Sequence, residues 1–274
     1  MSFNKLLVVL FAAVLCAHGT VVLVGVSKDG IVMAADKREA GPKKPPNDTY
    51  TKVISLGKFA AFASLGDAPR YRNKRTGHIE FDADAYTKKA LQDKHISKEQ
   101  LQQFAAQMGA DMLKVSSVHK CEMAPLELIF AQAEGNSQVL YKLILENCTP
   151  TALEVYPLSQ GEGGHVTYND LMFGSAVDAM NQFKSHQGPF FERIKKNMEV
   201  MQFLESGQKA PVVDPSGASI CHVYQLFISN LGAISDSSST GSDCVVINKT
   251  SGLTWNRSPA SKPQAKSGPK PQNQ

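Results

Sequence analysis

The chain has 274 residues, 42% hydrophobic, 20% charged and 8% aromatic, with a formal net charge of +4. That composition is globular and long enough to bury a substantial core as one large domain or two small ones. It argues against a nucleic-acid binder, because no basic stripe with interleaved aromatics runs through the body of the chain and much of the net charge comes from the lysines of the final "SKPQAKSGPKPQNQ", which has no acid. That tail, within residues 257–274, is too poor in apolar side chains to fold and reads as disordered.

Residues 1–19 form the first unit. A short polar start with Lys5 leads into the apolar run "LLVVLFAAVLCA", and Ala17 and Gly19 place small residues at −3 and −1 relative to Thr20. This order matches a secretory signal peptide and implies a secreted or periplasmic protein. If residues 1–19 are instead a propeptide removed by the protein itself, a cytoplasmic location follows. Retained as an anchor, the same apolar stretch would hold the chain at a membrane.

From Thr20 the pattern is β: "TVVLVGVS", a "KDG" turn, then "IVMAAD". A Pro-rich loop, "GPKKPPNDTY", precedes a second hairpin of "KVISLG" and "FAAFASLG". Amphipathic helices are expected over residues 83–93 and 97–115. In the second, Leu101, Phe104, Ala105, Met108 and Met112 recur at helical spacing behind a Ser97/Gln100 capping box. Strands follow over residues 126–134, 138–146 and 152–158. Further helices are expected over 175–183, 190–206 and 219–235, with closing strands at 243–249 and 253–256. Strands and helices come in blocks rather than in alternation, which predicts antiparallel sheets layered with helices, an α+β domain over residues 20–256.

Without the leader four cysteines remain: Cys121, Cys148, Cys221 and Cys244. An even number suits an oxidising compartment but fixes no pairing. There is no CxxC pair, and the seven histidines show no metal-ligand spacing, so no metal or organic cofactor is expected.

The chemistry concentrates at Thr20. A threonine at a chain terminus carries its own base, since a free α-amine titrates at about 7.7–8.0. Nucleophile and base then share one residue, and the base is missing until Gly19–Thr20 is cut. Such a site needs a cation to favour the alkoxide, a carboxylate to hold the cation and an oxyanion donor. Asp36 ends the second strand and Lys52 begins the third, so in adjacent antiparallel strands the two would meet beside Thr20. Gly66, in "SLGDA", offers an unobstructed backbone N–H.

These residues resemble a family. "GT", then "KDGIVMAADKR", "TKVISLG" and "SLGDA", look like the proteasome β-subunit family of N-terminal-nucleophile hydrolases, with Thr20, Asp36, Arg38, Lys52 and Gly66 at that family's offsets. The resemblance implies a four-layer αββα sandwich and a threonine peptidase or amidohydrolase made as a zymogen. Thr20 is then the nucleophile, Lys52 lowers its pKa, Asp36 orients Lys52 and Gly66 supplies the oxyanion-hole amide. "FGSA" corresponds to the family's Gly-Ser-Gly stretch, giving Ser175 near the α-amine. "ISDSSSTGSDCVVI" corresponds to its Asp-x-x-Ser-Gly segment, giving Asp236 and Ser239, or Thr240-Gly241 in an alternative register. The chain departs from the family in having Val21 after the threonine, in a helical segment around residues 187–216 and in its tail. Pocket walls are expected from Glu39, Tyr50 and Ser64. The substrate would be a peptide or protein, and family members assemble into homo-oligomers or rings. Acyl transfer to an amine instead of water would make the same site a ligase or transpeptidase; a non-catalytic scaffold subunit would keep the fold alone.

Overall fold

Seven consecutive buried residues, Val21 to Ser27, make the first strand, β1 (Val21–Ser27). A strand buried along its whole length is covered on both faces, and β-branched valine suits that position. The computed structural model describes residues 20–41, 44–65, 70–72, 79–115, 125–134, 137–157, 171–209, 216–235 and 238–258. Within them the chain is a mixed α/β protein built on two antiparallel sheets.

β1 turns through Lys28 and Asp29 into β2 (Gly30–Asp36). The Ser27 hydroxyl accepts the Asp29 and Gly30 amides, each at 3.1 Å. Gly30 has φ +144, and a Cβ there would lie 2.1 Å from the Ile247 carbonyl oxygen, so no other residue fits this turn. Next come a short hairpin, β3 (Glu39–Gly41) and β4 (Lys44–Asn47), then the hairpin β5 (Val53–Ser55) and β6 (Ala60–Leu65). The Pro-rich loop is thus partly a two-stranded ladder, where prolines are tolerated for want of a further strand to bond. Another small pair, β7 (Arg70–Arg72) and β8 (Ile79–Asp82), leads into α1 (Ala83–Leu91) and α2 (Lys98–Val115). Three long strands follow: β9 (Leu126–Glu134), β10 (Ser137–Glu146) and β11 (Thr149–Pro157). β12 (Leu171–Gly174) precedes α3 (Ser175–Ser185), α4 (Gly188–Ile194), α5 (Met198–Lys209) and α6 (Gly217–Gly232), and β13 (Ser242–Asn248) and β14 (Gly252–Ser258) close the described chain.

The first sheet has the order β12-β1-β2-β13-β14 and the second β11-β10-β9-β6-β5. Strand alternation divides the apolar residues among three clusters. Val22, Val24, Met33, Val53, Ala61, Ala63, Ile129 and Val245 meet between the sheets. On the other side of the second sheet, Phe62, Leu128 and Phe130 pack with Leu101, Phe104 and Met108 of α2. On the other side of the first sheet, Val21, Leu23, Val32 and Ala34 pack with residues of α3 to α6, including Phe190, Tyr224 and Phe227.

Helix ends follow local chemistry. Asp82 caps α1 through Ala85 N–H at 2.9 Å, and Ser97 accepts Gln100 N–H at 3.2 Å ahead of α2. The first turn of α6 is held from afar: Gly217 N–H donates to the Asp29 carboxylate at 2.7 Å. Residues 190–206, expected as one helix, are two. Asn197 interrupts them, its side chain accepting Val200 N–H at 3.3 Å and so opening a second helix. Cys221 of α6 and Cys244 of β13 form a disulfide, and Cys148, in the turn between β10 and β11, is also disulfide-bonded. Among the described residues no helix is long and apolar enough to cross a membrane.

Candidate active site

Asp36 is the hub. As the last residue of β2 it is fully buried, yet its carboxylate accepts four hydrogen bonds. Oδ1 takes the Val21 N–H at 2.9 Å and the Lys52 ammonium at 2.8 Å. Oδ2 takes the Arg38 N–H at 3.0 Å and the Ser239 N–H at 3.2 Å. A buried carboxylate is sustained only by such a set of donors, three of them here fixed backbone amides.

Lys52 spans the site. Its Nζ reaches Asp36 on one side and Thr20 Oγ1, at 3.2 Å, on the other. Thr20 and Lys52 are both buried, at 5% and 4% exposure, so the cation acts on the hydroxyl with little solvent screening. The expectation that Asp36 and Lys52 lie in adjacent strands is corrected. β2 is flanked by β1 and β13, whereas Lys52 leads into β5 at the edge of the other sheet. The pair meets across the two sheets, because a lysine side chain is long enough to cross to the end of β2.

Thr20 is held by its own backbone. Val21 pairs with Gly174 at the end of β12. Gly174 has φ +65, and a Cβ on it would lie 1.9 Å from the Thr20 carbonyl oxygen, so only glycine lets the two chains approach this closely. Ser175 follows as the first residue of α3.

Ser239 enters through its backbone as well as its side chain. Its N–H serves Asp36, while its Oγ accepts Gly241 N–H at 3.0 Å. The Gly241 carbonyl in turn accepts Lys37 N–H at 3.1 Å, which ties this loop to the end of β2. Ser239 thus meets Asp36 through its backbone N–H, with Thr240 and Gly241 following it in the same loop. Gly66 and Asp236 lie outside the described residues.

Of the expected pocket residues, Glu39 lies in β3 by its backbone. Tyr50 is buried and its hydroxyl donates to the Asp84 carboxylate of α1. Ser64 is buried too, on the face of β6 shared with Ala60 and Phe62, and its hydroxyl has no hydrogen-bond partner among the described residues. Thr87 of α1 is another buried hydroxyl without one.

Sequence reading missed three features here. The Arg38 guanidinium forms a two-point ion pair with Asp48, Nε to Oδ1 at 2.7 Å and a second nitrogen to Oδ2 at 2.9 Å. This bond fixes the chain just after Asp36. Asp84 gave no signal, being an ordinary first-turn acid until α1 turns it inward. Val21 N–H, a plain strand amide by sequence, proves to be a ligand of Asp36.

Among the described residues there is no cluster of three or more side chains able to hold a metal ion. No protein-family model matches the chain, and no curated protein is significantly similar to it.

Proposed function

We propose that this protein is a threonine-type peptidase or amidohydrolase whose nucleophile, Thr20, is exposed by cleavage of Gly19–Thr20. The observation that carries the reading is the buried chain Asp36–Lys52–Thr20, with the ammonium 2.8 Å from the carboxylate and 3.2 Å from the hydroxyl. A merely structural lysine–aspartate pair does not require a third polar group on the ammonium at the start of a strand. The layering of helices, two sheets and helices supports a four-layer αββα sandwich of the N-terminal-nucleophile kind.

In this reading the freed α-amine of Thr20 takes the hydroxyl proton as Oγ1 attacks the scissile carbonyl. The Lys52 ammonium stabilises the developing alkoxide, and Asp36 holds Lys52 in place. The carbonyl carbon gains a bond to Oγ1, the carbon–nitrogen bond breaks, and the α-amine passes its proton to the leaving amine. Water then cleaves the ester, releasing the acid and restoring the threonine. Gly66 N–H is the proposed oxyanion donor, with Ser175 and Ser239 beside the amine. The disulfides favour an oxidising compartment, consistent with residues 1–19 acting as a secretory leader.

The test is the amino terminus of the purified mature protein, by intact mass and terminal sequencing, for wild type and Thr20→Ala. Wild type is expected to begin at Thr20 and to turn over a peptide library, and Thr20→Ala to fold without turnover. A mutant that keeps its leader shows self-cleavage; one that loses it assigns the cut to a signal peptidase. Wild type beginning elsewhere, or activity that survives Thr20→Ala, refutes the mechanism. Transfer of the acyl group to an added amine would place the same site among ligases.

A further inference from the structure

The loop joining α6 to β13 delivers Ser239 N–H to Asp36, and one covalent bond spans that loop. Cys221 and Cys244 are 23 residues apart, with Cα atoms at 5.8 Å, and the ring they close contains the whole of residues 233–241. Both cysteines are fully buried, one in α6 and one in β13.

Two close approaches seat α6 against the loop and against β13, while Gly241 ties the far end of the loop to Lys37 after β2. The last residue of α6, Gly232, is so near the loop that a Cβ on it would lie 2.3 Å from the Ser239 carbonyl oxygen. The first residue, Gly217, approaches β13 as closely, with Val246 Cγ1 2.5 Å from an added Cβ. Ser239 then bonds Gly241 through its hydroxyl, and Gly241 bonds Lys37 through its carbonyl. If α6 drifts from β13, the Gly232 contact opens and the Ser239 amide that donates to Asp36 Oδ2 moves with it. Apolar packing alone resists such a shift softly, whereas a disulfide forbids it.

We infer that the Cys221–Cys244 disulfide is a positioning crosslink for the Asp36 carboxylate, so that the Thr20 site is complete only after this bond has formed. Formation joins the two thiols and passes two electrons and two protons to an oxidant, in thiol–disulfide exchange another disulfide, which becomes two thiols. The reverse needs a dithiol, which is itself oxidised to a disulfide while Cys221 and Cys244 regain their protons. Because neither sulfur is exposed, attack on the bond requires α6 to lift first. The bond is therefore a lock closed during folding, and it ties maturation of the site to an oxidising compartment. The catalytic part of this inference rests on the proposed Thr20 activity; the structural part does not.

The experiment compares Cys221→Ala/Cys244→Ala with Cys148→Ala, which removes the other disulfide at the far sheet, by amide hydrogen exchange, peptide turnover and thermal melting. The double variant is expected to lose protection at the Ser239 and Gly241 amides and about a hundredfold in kcat, with KM nearly unchanged. Cys148→Ala is expected to melt earlier but to keep both amides protected and kcat intact. Retained protection in the double variant, or an equal loss of kcat in Cys148→Ala, overturns the lock. A wild type inactive on every peptide counts against the proposed function, and amide exchange alone then decides the lock. If the double variant does not accumulate, folded wild type is reduced with dithiothreitol and alkylated over time. Amide deprotection that keeps pace with alkylation of Cys221 and Cys244 supports the inference; persistent protection with both alkylated overturns it.

Discussion

Asp36 shows how one side chain gains a function from its surroundings. Its four donors come from β1, from the residue leading into β5, from the turn after β2 and from the loop before β13. Replacing it with asparagine keeps the shape but removes the charge that Lys52 and the three amides face. Asp36→Asn is expected to lose stability by about 3–5 kcal/mol, as when one partner of a buried ion pair is removed. Any residual turnover should be well below that of wild type. Chemical denaturation and kcat measure the two, and wild-type turnover in this variant would remove Asp36 from the mechanism. Lys52→Ala should likewise abolish turnover by several orders of magnitude, which peptide hydrolysis under saturating substrate would show. In the sequence, the aspartate, lysine and threonine were legible as types at suggestive spacings. Their contact was not, because it runs between sheets and no local pattern encodes which sheet a strand joins.

At the scale of elements, most helices and long strands were legible because periodicity and caps are local. α2 begins behind Ser97 and buries Leu101, Phe104, Ala105, Met108 and Met112 as their spacing requires. The break between α4 and α5 was not legible from apolar spacing, since that spacing runs on through it; the Asn197 side chain decides it. Asn197→Ala should destabilise the protein by about 1 kcal/mol, read from the denaturation midpoint. α2 also carries an acid-sensitive link. Hydrogen bonds from Gln107, Lys114 and Tyr86 hold the Asp111 carboxyl well below the usual carboxylate range. Tyr86, through burial and this same acid, is pushed up to about 12. A depressed carboxylate stabilises the fold above its unfolded pKa and ceases to do so as pH falls through the folded one. The stability gap between wild type and Asp111→Asn should therefore be full at neutral pH and close only in strong acid. Denaturation midpoints across the acid range test this, and a gap already closed at pH about 4, the unfolded carboxylate range, would contradict it. On the alkaline side, the Tyr86 contribution should be lost as pH rises through its raised value.

For the whole molecule, stability rests on three apolar clusters rather than one. Phe62, Phe104 and Phe130 join the second sheet to α2, with Phe62 and Phe130 stacked at 5.8 Å and Phe104 edge-on to Phe130 at 6.2 Å. Phe130→Ala should cost about 3–5 kcal/mol, the range for emptying a large aromatic site. Since that cluster lies on the far side of the second sheet from Asp36, kcat of the folded fraction should change little. Thermal melting and specific activity separate the two effects.

The sequence by itself determined most of the helices and long strands, the apolar faces they present and the residue types at Thr20, Asp36 and Lys52, because these follow from periodicity and from chemistry within a few residues. Only the tertiary structure decided that Asp36 and Lys52 meet across two sheets, that Gly174 admits Thr20, that Asp84 turns inward to Tyr50, and that Cys221 pairs with Cys244. Each of these is a contact between segments far apart in the chain. Such contacts are chosen by how the buried faces stack together, a property of the assembled layers that no single segment carries.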